Sequence, residues 1–353
     1  MIKKLLPSLS LLVLTLFLGS WGGVGHNIIN GHCASSFPAT MTGFQAWSAS
    51  LASNASNADN RKNSDPNESP KHFIDIDSYS EFVLTGSIAS TYDSVVIKHG
   101  ATFVVKNGTL PWATINMYDT LVVDFKKLKW DKAMLDASDL GHYVGDGHMP
   151  LHITANYDGG STNQRGIHSR YETDMVSAYQ TSLGNYSGTP GSYVSNVSKY
   201  VYTYIYSNYH YVDSVLAADT YAKSKDASYS TTYTAALWSK AQFTNMLFRN
   251  ASHALAELIY TAWVDAGSPH FATQTGINPI AETNFSVNFN PKTGEVNYAG
   301  AEVLRTEVFS LAGLRLNEFS GNSLNISALP KGIYALSIHT KNGFTFKQKV
   351  LLN

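Results

Sequence analysis

The chain has one cysteine among 353 residues, Cys33, which excludes an intramolecular disulfide. Charge is scarce too. Only 14% of residues are Asp, Glu, Lys or Arg, and the formal net charge is -1, so there is no basic field of the kind that holds polyanions non-specifically. A polyanion could be handled here only if something other than Lys and Arg, such as bound metal ions, supplied positive charge. Internal repeats are absent, as are glycine loops for dinucleotides or phosphates. A hydrophobic content of 44% is ordinary for a protein with a real core.

Long apolar runs are also missing beyond the first residues. Residues 1–20, MIKKLLPSLSLLVLTLFLGS, place Lys3 and Lys4 before an apolar stretch and end on Gly19-Ser20. This predicts a secretory signal peptide, with a retained N-terminal anchor as the alternative; the run is short for a bilayer-crossing helix. Removal of the signal leaves no stable membrane span and a secreted or cell-surface protein.

From Trp21 to 266 the pattern predicts a mainly α domain. Helices are expected over 135–144, stopping at Pro150, and over 235–264, where Leu237, Ala241, Leu247, Leu255, Leu258 and Ile259 repeat at helical spacing. Residues 54–70, rich in Asn, Ser and Asp, read as a loop. The Tyr- and Ser-rich stretch 179–233 stays open between helix and loop. A linker over 267–283 then leads to a small all-β sandwich over 284–353, with alternating runs at 285–289, 302–311, 332–339 and 344–352.

Four clusters of metal-ligand residue types lie in order along the helical part. They are Trp21-Gly-Gly-Val-Gly-His26; Asp59 followed by His72-Phe-Ile-Asp75; His142-Tyr-Val-Gly-Asp146 running on to Pro150-Leu-His152; and His168-Ser-Arg-Tyr-Glu172. Residues four apart share a helix face, so His142 with Asp146, and His168 with Glu172, could each chelate an ion. Imidazole and carboxylate without thiolate favour zinc, although ligand type leaves manganese open. A single such pair on a helix is more often a surface interaction; two pairs with a trailing Pro-Leu-His shift that balance.

This ordered set resembles the trinuclear-zinc, single-strand-preferring nucleases of the mung-bean-nuclease type and their relatives, the bacterial zinc-dependent phospholipases C. The resemblance covers roughly residues 21 to 265 and implies three zinc ions. One would be held by Asp59, His72, His142 and Asp146. A second would use the free amino nitrogen and carbonyl oxygen of Trp21, with His26 and a shared Asp146. The third would use His152, His168 and Glu172. It further implies metal-assisted phosphodiester hydrolysis, with Asp59 as the catalytic residue orienting the attacking water, and with Asp75 and Lys62 supporting the ligands. An amino nitrogen ligates only when free, so cleavage directly before Trp21 becomes a condition for assembling the site.

Two features divide the resemblance. The close spacing of Trp21 and His26 follows the nucleases, whereas Glu172 as last ligand follows the phospholipases. Lys62 stands where the nucleases carry Arg, and Lys lacks the planar fork. The expected activity is therefore cleavage of single-stranded DNA or RNA to 5′-phosphorylated products, with 3′-nucleotidase activity in addition. Phospholipase C is the alternative, and a metal-stabilised secreted binding protein the reading of another class. His148 is expected as an exposed loop histidine; Tyr143, Tyr157 and Tyr171 would either stack on a base or pack in the core.

Residues 284–353 resemble the carboxy-terminal sorting domain of the bacterial type IX secretion system, through Asn290-Pro291-Lys-Thr-Gly-Glu, Ile326-Ser-Ala-Leu-Pro-Lys-Gly-Ile-Tyr334 and the closing Lys347-Gln-Lys-Val-Leu-Leu-Asn353. That resemblance implies the secretion machinery as a partner; a substrate-binding β-sandwich is the other reading.

Overall fold

The computed structural model describes residues 22–271, 285–311, 313–341 and 345–353. The proposed signal, Trp21 and most of the proposed linker lie outside the described residues. The chain divides into two units, Met1–Thr273 and Gln274–Asn353.

The first unit is helical, as the apolar spacing predicts. Its central element is the helix Trp130–Asp146, which packs against the helices Gly22–Cys33, Leu110–Lys126 and Thr244–Asp265. Every residue from Ala137 to Asp146 is buried. Small side chains permit this. A methyl group on Gly141 would come 2.7 Å from Leu255 Cδ2, and one on Gly145 would come 3.0 Å from His26 Nδ1. Leu140, Val144, Leu255, Leu258 and Ile259 fill one core around this helix, each contributing on the order of 1.5–3 kcal/mol by leaving water. Buried Asn30 ties the layers together, donating to the carbonyls of Ser138 (2.9 Å) and Leu51 (3.3 Å).

Several boundaries differ from expectation. The Trp130–Asp146 helix stops before Gly147, and Pro150 instead opens the 3-10 turn Pro150–His152. The run expected over 235–264 breaks into Thr231–Lys240 and Thr244–Asp265. The Ala241 amide there bonds both the Leu237 and Trp238 carbonyls, and burying Ala241 and Thr244 favours the turn. The stretch 54–70 holds the short helix Asn57–Arg61 and the start of the turn Ser69–His72. Fully buried Ala58 and the tertiary ion pair from Arg61 to Asp139 stabilise that helix, and neither shows in the composition. Within 179–233, helices form over Gln180–Leu183, Val197–Tyr209 and Val212–Lys225. They bury Val201, Tyr202, Ile205, Val215 and Ala218 while Tyr and Ser cover the outer faces.

The second unit is all β: β1 Ser286–Phe289, β2 Glu295–Ala299, β3 Val303–Ser310, β4 Arg315–Ser320, β5 Ser323–Asn325, β6 Gly332–Thr340 and β7 Thr345–Leu352. The strands pair antiparallel in two sheets, ordered β1-β2-β5 and β4-β3-β6-β7. Val296 and Leu324 from the first sheet meet Val308, Leu336, Ile338 and Val350 from the second in one core. Three strands, β2, β4 and β5, escape the sequence reading. In β4 the described positions are almost all exposed, which erases the alternation that signals a strand. A mainly α domain followed by a small β-sandwich is the architecture observed.

Candidate metal centre

The C-terminal end of the Trp130–Asp146 helix lies where three cores meet. Tyr143 packs into one, Val144 into a second, and Leu151, just past the turn, into the third. Fixing these neighbours fixes His142, Asp146 and His152 between them.

Three groups of ligand-type atoms converge here: His26, His142 and Asp146; Asp59, His72 and His142; and His152, His168 and Glu172. Asp146, wholly buried, joins them. Its Oδ2 lies 3.1 Å from His72 Nδ1 and 3.4 Å from His142 Nε2, and its Oδ1 lies 3.2 Å from His152 Nδ1 and 3.6 Å from His26 Nε2. Asp59 Oδ1 sits 3.5 Å from both His72 Nδ1 and His142 Nε2. The His26 ring stacks on His142 with centroids 3.7 Å apart. The structure thus brings together all the described residues that the sequence nominates as ligands, and it places His142 in two of the groups.

The third group rests on an unexpected turn. His168 sits in a single α turn, while Glu172 lies in a π-helix, Arg170–Met175, instead of a continuous α-helix; such widened turns recur at functional sites. Arg170 anchors it from behind, donating to the carbonyls of Gln164 and Arg165 and pairing with buried Asp219 at 3.0 Å. His168 Nε2 still reaches Glu172 Oε2 at 2.6 Å, and His152 Nε2 is 3.5 Å from the same oxygen.

The donor set fits a cation. Glu172 Oε1 and His152 Nε2 are buried and make no hydrogen bond among the described residues, while Glu172 Oε2 faces two imidazoles at 2.6 and 3.5 Å, an arrangement costly unless a cation compensates it. The rear nitrogens of the other rings are held by main chain: His142 Nδ1 against the Ala55 carbonyl (2.7 Å), His152 Nδ1 against that of His72 (2.7 Å) and His168 Nδ1 against that of Tyr157 (3.4 Å). That leaves each Nε2 facing the cluster, as ligation requires.

Protonation follows the same geometry. Burial drives His26 down to about 3, helped by His142. For His152, burial lowers the pKa, but the charges of Asp146 and Glu172 outweigh it and carry the ring to about 9. Burial pushes Asp59 up, yet His142 and Lys62 prevail and hold it below the usual carboxylate range.

Beside the cluster lies a cavity of about 310 Å³ lined by Lys62, His72, Phe73, Asp75, Lys106, His152, Tyr157 and His168. Lys62 Nζ contacts Asp59 Oδ1 at 2.6 Å. Asp75 is raised to about 7, by burial first and then by Asp77. Tyr157 is half exposed at the rim, whereas Tyr143 and Tyr171 are core residues.

His148 corrects the sequence reading. It is buried, not an exposed loop residue: its ring stacks on Tyr204 with centroids 4.4 Å apart, and Nδ1 bonds the Val144 carbonyl at 2.8 Å. Sequence reasoning also misses Glu68, Arg61 and Lys106. The first two form an ion pair behind His72, with Glu68 buried and Arg61 partly exposed, and the one available signal is the four-residue spacing from Glu68 to His72. Lys106 reaches the cavity through tertiary folding alone.

No protein-family model matches the chain, and neither does any curated protein sequence. Among solved structures it is similar to the alpha toxin from Clostridium absonum, at 10% identity and a TM-score of 0.45, covering 95% of this chain and 100% of that one. It is also similar to the alpha-toxin of an avian strain of Clostridium perfringens, at 10% identity and a TM-score of 0.42, covering 95% and 98% respectively. A likeness this loose assigns neither a family nor a substrate.

Proposed function

We propose that the chain is a zinc-dependent hydrolase of phosphodiester bonds, carrying up to three ions in the three groups around Asp146. The observation that carries this reading is the convergence of five histidines and three carboxylates, six of these eight buried, in three adjoining groups beside an open cavity. A purely structural zinc site is closed off, whereas this one borders space for a substrate.

Bound there, zinc supplies Lewis acidity that makes water nucleophilic at neutral pH, together with positive charge that the chain itself lacks. The protein's part is placement. Asp59, partly exposed and held ionised by His142 and Lys62, accepts a hydrogen bond from the attacking water and aims it. Lys62 and Lys106 hold phosphate oxygens across the cavity, with Phe73 and Tyr157 as its aromatic walls. His26, with Trp21 ahead of it, completes the second set once the amino group of Trp21 is free.

Two substrates fit this chemistry, each on its own observation. Lys62 and Lys106 lining one cavity suit single-stranded nucleic acid, where a second phosphate follows the first, and nucleotides. Glu172 as last ligand suits a phospholipid, with Phe73, Tyr157 and Asp75 facing its headgroup. The deciding experiment assays mature protein of sequenced N-terminus on single-stranded DNA, RNA and phosphatidylcholine vesicles, with chelator and after zinc return. Activity that survives complete zinc removal, or no cleavage of any of the three, would overturn the proposal; the substrate cleaved chooses between the readings. A form retaining one residue before Trp21 is expected to lose most activity.

Residues 1–20 as signal and 284–353 as sorting module make this a secreted or surface enzyme in the proposal. No helix among the described residues is long and apolar enough to cross a membrane.

A further inference from the structure

His72 differs from the other clustered histidines in what stands behind it. The rear nitrogens of His142, His152 and His168 meet main-chain carbonyls. His72 turns Nδ1 toward Asp59, His142 and Asp146, and its buried Nε2 makes no hydrogen bond among the described residues. The carboxylate it faces is Glu68, whose Oε1 lies 3.6 Å away. That is longer than a hydrogen bond by about half an ångström, a gap closed by a small ring rotation.

Glu68 is itself strongly held. It is 1% exposed, Tyr143 donates to its Oε1 at 2.5 Å, Arg61 Nη2 reaches the same oxygen at 3.2 Å, and Lys71 Nζ reaches Oε2 at 2.7 Å. Arg61 is pinned in turn by Asp139 at 2.8 Å, three residues before His142. Two cations and a hydroxyl thus keep one buried carboxylate charged and immobile, aimed at the rear of a candidate ligand. A carboxylate behind a ligating imidazole fixes its tautomer and raises its donor strength, and its loss typically costs about 10–100-fold in metal affinity.

We infer that Glu68 is a positioning residue for His72: its carboxylate accepts a hydrogen bond from Nε2–H, so that Nδ1 is directed to the ion shared with Asp59 and His142, and zinc at that position is tightened selectively. The inference rests on the proposed zinc reading. The alternative is that the Arg61–Glu68–Lys71 group only ties the Asn57–Arg61 helix to the Trp130–Asp146 helix.

The test is zinc affinity by chelator competition, paired with thermal unfolding of the zinc-free protein, for wild type, Glu68→Gln, Glu68→Asp and Lys71→Met. Wild type that binds no zinc would overturn the zinc reading itself. With zinc bound by wild type, Glu68→Gln is expected to weaken one ion about 10–100-fold while the others keep their affinity. Glu68→Asp retains the charge for Arg61 and Lys71 but withdraws it from Nε2, so it should show the same selective loss with little change in melting; it serves if Glu68→Gln does not fold. Lys71→Met should lower the melting temperature and leave zinc affinity intact. Unchanged affinity in the Glu68 variants, or an equal loss in Lys71→Met, would overturn the role of Glu68 while leaving the zinc reading standing.

Discussion

A methyl group at Gly141 has nowhere to go. It would run into the Asn30 side-chain oxygen and lie 2.7 Å from Leu255 Cδ2, and both neighbours are buried. Gly141→Ala is therefore expected to destabilise the helical unit by about 1–3 kcal/mol, read from denaturant unfolding; a neutral result would mean the helices separate more easily than their packing suggests. Asp75 gives a residue-level prediction of a different sort. Burial and Asp77 raise its carboxyl to about 7, above the value of about 3.9 of an unfolded chain. A raised carboxyl binds its proton more tightly in the fold, so its stabilising share is full below about pH 4 and is lost as pH rises through about 7. Asp75→Asn should match wild type near pH 4 and exceed it by a margin that grows up to about pH 7 and then levels off, in melting curves recorded with chelator. Parallel curves would show that Asp75 does not titrate in this range.

The π-turn Arg170–Met175 is the element on which the third metal group depends. Arg170 is almost wholly buried and pairs with Asp219, which is fully buried and also accepts from Tyr233. Removing the guanidinium takes away the nearest cation of that carboxylate and leaves it Gln164, Tyr233 and the more distant Lys223, a loss of about 1.5–3 kcal/mol. Arg170→Met is expected to unfold at correspondingly lower denaturant, and to carry one zinc ion fewer by elemental analysis than wild type, because His168 and Glu172 flank the anchor. Full zinc content in a destabilised variant would separate the turn from the site. The His142–Asp146 element behaves differently. Its chelating faces follow from helical spacing alone, and its neighbours only bury what the spacing has already aligned.

At the scale of the whole molecule, the β core of Val296, Leu324, Val308, Leu336 and Val350 is distinct from the three cores of the helical unit. A mature chain ending at Thr273 is expected to fold, to keep its helical circular dichroism and to bind as much zinc as the longer chain. Loss of zinc on this truncation would mean the β unit contributes to the centre. Much of the architecture was legible beforehand because both periodicities are local properties: apolar residues recur at helical spacing before residue 266 and alternate after 284. The same locality made His142, Asp146, His168 and Glu172 readable as pairs. What stayed hidden was set by partners distant in sequence. His148 is buried because Tyr204 comes from the Tyr-rich stretch whose helices the composition does not announce. Glu68 and Arg61 read as polar loop residues because their partners Tyr143 and Asp139 lie more than seventy residues away in the chain, and Lys106 reaches the cavity from a helix with no motif. The sequence by itself determined the kinds of ligand and their order. Only the tertiary structure decided that Asp146 joins all three groups and that His72 is backed by a carboxylate, because such contacts depend on how separate helices meet rather than on spacing within any one of them.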